Sequence, residues 1–94
     1  MNKCLTEEQF KEILVFLEAM EITLRKCDGY DDCCVGLAEG FGSEYRLTYS
    51  RRAIIEKMME RDGMCAFDAM EYFQFNIIGA YLGEGMPLFL MEVS

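Results

Sequence analysis

The stretch that most constrains the fold is LTEEQFKEILVFLEAMEITLRK, residues 5–26. Thr6 is a helix N-cap type, and Gln9 three positions later completes a capping box. Leu5 and Phe10 stand at the positions a hydrophobic staple joins. Phe10, Ile13, Leu14, Leu17, Met20 and Leu24 recur at the i, i+3, i+4 spacing of one buried helical stripe. The sequence therefore predicts an amphipathic helix over 6–26, braced by Glu7–Lys11 and Glu21–Arg25 at i, i+4. Val15, Phe16 and Ile22 lie off the main stripe, so a second face has to meet either the sheet or a partner.

Beyond residue 26 the period changes. CDGYDD breaks the helix at Asp28-Gly29. CCVGLAEGFGSEYRLTYS then reads as a hairpin of two strands about GFGS. Tyr45, Leu47 and Tyr49 alternate with Arg46, Thr48 and Ser50, the mark of a half-buried strand. The first strand is more evenly apolar and is expected to be the central one. Helical spacing returns in RRAIIEKMMERDG, with Ile54, Ile55, Met58 and Met59 on one side and Gly63 at the stop.

A third helix is predicted over 66–82, with Ala66, Met70, Phe73, Gln74, Ile77 and Tyr81 facing the core. Its opposite side carries Asp68, Glu71, Tyr72, Phe75, Asn76, Gly79 and Gly83. Gly79 costs about 0.8–1 kcal/mol relative to Ala inside a helix. The expected reason is close approach of another backbone, either the final strand or first helix of the same chain or a partner. Pro87–Met91, the only Pro leading, suits a short edge strand. The expectation is one α+β domain over 1–94, ordered α-β-β-α-α-β, with a short, mostly antiparallel sheet against three helices. Residues 1–26 form its N-terminal helix and 30–94 its core.

Composition narrows function. The chain has 94 residues, 52% of them hydrophobic, which is ample apolar surface to offset the entropy of ordering. Its net charge is −8, with ten acids against five bases in 1–50 and seven against four in 51–94. A surface so charged disfavours direct binding to phosphate backbones and favours a basic partner. The chain has no His, which removes the commonest general base and the commonest metal ligand. Glu71 and Glu84 alone suggest paired carboxylates, and no nucleophile motif accompanies them.

Five Cys (Cys4, Cys27, Cys33, Cys34, Cys65) follow no secretory signal and lack the close Cys-x-x-Cys spacing of a zinc knuckle. Adjacent Cys33 and Cys34 on a strand point to opposite faces. The cysteines are read as structural, in a reduced cytoplasmic setting. No apolar run reaches the roughly twenty residues of a membrane helix. EGFGSE and LGEGMP contain Gly-x-Gly but not a phosphate-cradling motif, and CDGYDD lacks the calcium-loop pattern. No catalytic residue, metal or cofactor is assigned.

Three segments, YDDCCVGLAEGFG, LTYSRRAIIEKMMERDGM and AMEYFQFNIIGAYLGEGMP, resemble a group of small proteins encoded by bacteriophages and prophages. The resemblance spans about residues 30–90. Its most specific part is Asp62-Gly63-Met64 with Glu71, Phe73, Phe75, Asn76, Gly79, Ala80, Gly83, Glu84 and Pro87. The chain departs from the pattern at Cys33-Cys34, at Met86 before Pro87, and at Cys65, where a Ser or Thr N-cap is usual and a weaker helix start follows.

The resemblance implies a phage context, in an infected or lysogenic bacterial host, and a compact fold. It implies no catalytic residues. The function expected is a non-enzymatic accessory protein that binds a protein partner, a host or defence-system component, in the manner of an inhibitor, with self-association as a further expectation. Its candidate interface is Tyr72, Phe75, Asn76, Gly79, Glu84 and Pro87. Two alternatives stand beside it. One is a small-molecule or nucleotide-like ligand binder using the turn at 83–87; the other is an acidic DNA mimic occupying a DNA-binding protein.

Overall fold

A computed structural model describes residues 4–40, 44–80 and 85–91. Thr6 caps the first helix, α1 (Glu7–Ala19), as its spacing requires: Thr6 Oγ1 accepts from Gln9 N–H at 3.1 Å and Gln9 Oε1 accepts from Thr6 N–H at 2.9 Å. Glu7 and Lys11 pair at 3.3 Å. The helix ends earlier than its apolar stripe predicts. Glu21 turns into the left-handed region at φ 57, Glu21 N–H donates to Glu18 C=O, and Ile22 N–H reaches back to Leu17 C=O at 2.8 Å. This is a Schellman closure built on glutamate rather than glycine. Glu21 and Arg25 consequently share no helical face. Residues 22–26 run on outside any helix, with Ile22 and Leu24 half-buried.

After a turn at Asp28-Gly29 and a short 3₁₀ turn, α2 (Asp31–Cys33), the chain enters β1 (Cys34–Glu39) and returns antiparallel as β2 (Tyr45–Ser50). Ser50 closes the strand and caps α3 (Arg51–Asp62), its Oγ accepting from Ala53 N–H at 3.1 Å. Gly63 ends α3 in the left-handed region, φ 69. The last helix, α4, begins as α-helix over Ala66–Tyr72 and continues as π-helix over Phe73–Ile78. Cys65 caps it with no side-chain bond, the weak start its sequence predicts. β3 (Leu88–Leu90) then pairs parallel with β2. With the 3₁₀ turn α2 set aside, the result is a small α+β domain in the predicted order, α-β-β-α-α-β.

The sheet order is β1-β2-β3, so β2 and not β1 is central. The evenly apolar β1 lies at the edge, with Val35 bulged out of register between Cys34 and Gly36. β3 can take its parallel place only because α3 and α4 supply the crossover that a parallel neighbour needs.

Packing gathers on one face of the sheet. Leu47 and Tyr49 of β2 are wholly buried there with Ile54 and Met58 of α3 and Phe73 of α4. Phe89 stacks edge-on to Phe73, centroids 5.3 Å apart, and lies 6.2 Å from Tyr49. Phe16, off the main stripe of α1, meets the edge of Tyr45 at 5.7 Å. Val15 remains exposed. Cys33 and Cys34 are both buried, because Cys33 still belongs to the 3₁₀ turn and does not obey strand alternation.

The core face of α4 differs from expectation. Ala69, Phe73 and Ile77 are buried, whereas Ala66, Met70 and Gln74 are exposed and Tyr81 lies outside the described residues. The inward residues follow each other at every fourth position. Ala69 lets α4 pack closely on α3; over Ala69, Phe73 and Ile77 a 100° step would accumulate about 80° of drift, and the wider π turn over the second interval turns part of it back.

Candidate functional site

On the outward side of α4, Asp68, Glu71, Tyr72, Phe75 and Asn76 follow the spacing i, i+3, i+4, i+7, i+8 and share one face. Together with Met64 they line a shallow groove of about 360 Å³. Phe75 is 74% exposed and Tyr72 44%; Phe67, on the same helix, is 71% exposed. Phe73, two positions from Phe75, is fully buried. An aromatic ring left in water forgoes about 1.5–3 kcal/mol of burial, so three such rings on one helix are a feature to be explained.

Four of the six candidate interface residues thus fall on or beside this face. Gly79 is exposed at the end of the π turn. A Cβ there would lie 2.7 Å from the carbonyl oxygen of Phe75, closer than real side chains come. Among the described residues, then, the backbone that excludes a side chain at Gly79 is the preceding turn of its own helix, and neither β3 nor α1 crosses there. Glu84 lies outside the described residues. Pro87 is buried ahead of β3, because the chain bends inward there to lay Phe89 on Phe73, and it presents no surface.

The ligand reading placed its site at 83–87. Within the described part of that turn, Gly85 C=O accepts from Arg25 N–H at 3.1 Å and Met86 C=O from an Arg46 guanidinium nitrogen at 3.4 Å. These carbonyls tie the turn to the body of the protein.

A second concavity, about 480 Å³, lies elsewhere, between the start of α1 and the turn at 28–32. Leu5, Phe10 and Leu14 supply its apolar part. Lys11, Lys26 and Lys57 line it, each beside a carboxylate: Glu7 at 3.3 Å, Asp31 at 3.2 Å and Asp32 at 2.8 Å. Hydrogen bonding from Lys57 holds the Asp32 carboxyl below its ordinary range. Behind it, the Tyr30 ring lies under both Lys57 and Arg61, whose guanidinium also donates to Tyr30 Oη at 3.0 Å. The sequence gives no sign of this groove, since its three lysines come from three separated segments and only folding brings them together.

The cysteines have no reactive setting in the core. Burial pushes the Cys33 thiol up to about 12 and raises Cys34 as well. Among the described residues no group of three cysteine, aspartate or glutamate side chains is arranged to hold a metal ion, and no helix is long and apolar enough to cross a membrane. Set against family models, curated proteins and solved structures, the chain matches none of them.

Proposed function

We propose that this chain is a small acidic, non-enzymatic accessory protein of phage type that acts by stoichiometric attachment to a protein partner, a host or defence-system component, through the outward face of α4. The observation that carries this reading is Phe75, 74% exposed within a π turn and flanked on the same face by Tyr72 and Asn76. Exposed aromatics that cluster at one place are the usual anchors of protein interfaces. π turns inside helices occur disproportionately at functional sites. The charge of −8 and the lack of His fit a binding role better than acid–base catalysis.

The test is affinity capture from host and infected lysate, read by mass spectrometry, with the wild type beside Phe75→Ala and Tyr72→Ala. Gly79→Arg is a poor probe, because its Cβ would collide with the Phe75 carbonyl. One dominant protein captured by the wild type and lost with both variants supports the reading. Retention of the same protein by both folded variants refutes it.

A second reading, a small-molecule or nucleotide-like ligand, draws on the groove of about 480 Å³ beside α1. It requires a compound that raises thermal stability, by about 2.7 kcal/mol at a hundredfold excess over Kd. The third, DNA mimicry, requires capture of a DNA-binding protein that weakens steeply with salt.

A further inference from the structure

The groove beside α1 and the groove on α4 differ in one respect. Beside α1 every lining carboxylate has its own lysine, so that groove is neutral overall. On α4 the lining carboxylates are Asp68 and Glu71, no Lys or Arg lines the groove, and among the described residues no cation pairs with either acid. Both stand one turn from exposed rings, Asp68 before Tyr72 and Glu71 before Phe75. Two unpaired carboxylates and two aromatic faces in one shallow groove call for a cation that is also planar. Guanidinium satisfies both, pairing with carboxylate through its fork and stacking on a ring, whereas an ammonium does only the first well.

We infer that the α4 groove receives an arginine-bearing segment of the protein partner, one guanidinium stacked on Tyr72 or Phe75 and paired with Asp68 or Glu71. This rests on the docking face proposed above and adds the chemistry of what docks.

The test uses the full chain, isotopically labelled, titrated with capped hexa-arginine and hexa-lysine peptides and followed by NMR. The expected result is amide shifts concentrated at residues 64–76, with hexa-arginine binding at least about fivefold more tightly than hexa-lysine, as a desolvated guanidinium–ring contact allows. Asp68→Asn with Glu71→Gln, and separately Phe75→Ala, are each expected to weaken hexa-arginine by about fivefold.

Neutralising two exposed acids of α1, Glu12→Gln with Glu18→Gln, removes the same charge elsewhere and is expected to change the affinity less than about twofold. Shifts scattered over the whole surface, equal affinity for the two peptides, or equal losses in the two neutralised pairs would each overturn the inference. The two proposals fail separately. Capture that needs Phe75 but ignores Asp68 and Glu71 keeps the docking face and removes the arginine; capture that ignores Phe75 removes the face itself. An oligomer dissolved by Phe75→Ala and untouched by hexa-arginine would make the occupant a second copy and overturn the inference as well.

Discussion

The side chain of Tyr49, at the centre of the sheet, accepts a hydrogen bond from the backbone N–H of Cys27 at 3.0 Å, fully buried. This contact fastens the connection that follows α1 to the central strand across 22 residues of sequence. Tyr49→Phe keeps the ring and leaves that N–H without its acceptor, so a stability loss of about 1–3 kcal/mol is expected by denaturant unfolding. Burial also raises the Tyr49 hydroxyl above its ordinary value. Its folded-state ionisation lies above its unfolded one, so its contribution is complete below about pH 10 and disappears as pH climbs towards the folded value. In Tyr49→Phe that alkaline loss should be reduced; an unchanged alkaline limb would show that another group drives it.

Phe73 and Phe75 provide a contrast within one helix. Phe73→Ala empties a site packed by Phe89 and Arg51 and should cost about 3–5 kcal/mol. Phe75→Ala should stay within about 0.5 kcal/mol of wild type while abolishing partner capture. Equal destabilisation by the two would mean that Phe75 is a packing residue.

At Gly79 helix propensity and sterics oppose each other. Alanine should stabilise an ordinary helical site by about 1 kcal/mol. Here its Cβ would meet the Phe75 carbonyl oxygen at 2.7 Å. Gly79→Ala is therefore expected to lower stability by about 1 kcal/mol or more, the usual cost of overpacking. A rise in melting temperature would show that the π turn relaxes freely.

Thiol labelling by an aromatic disulfide at pH 8 should sort the five cysteines by burial. Exposed Cys65 is expected to react fastest and half-buried Cys4 more slowly. Cys27, Cys33 and Cys34 should react only on unfolding, since all three are buried and Cys33 is pushed up to about 12. Fast modification of Cys33, mapped by mass spectrometry, would contradict the packing of the 3₁₀ turn against the strand.

The sequence by itself determined the elements and most of their ends. Thr6 with Gln9 and Gly63 after Asp62 act over three or four residues, so those ends were legible without any fold. The alternation of Tyr45, Leu47 and Tyr49 likewise marked a half-buried strand, although the central place was expected of β1. The aromatic face of α4 was legible as well, because Tyr72, Phe75 and Asn76 are one turn apart.

Tertiary structure decided what depends on distant partners. It placed β2 rather than β1 at the centre, since the parallel pairing of β3 follows from how α3 and α4 pack and not from either strand's composition. It ended α1 at Ala19, where a Schellman closure seats Ile22 near the core although the apolar stripe runs on. It turned Ala69 inward and Met70 outward, because the small side chain is the one that packs against α3 and the core. It also drew Lys11, Lys26 and Lys57 into one groove from three separate segments. Local signals fix backbone dihedrals over a turn or two, whereas pairing order, burial and side-chain convergence depend on contacts between segments far apart in the chain.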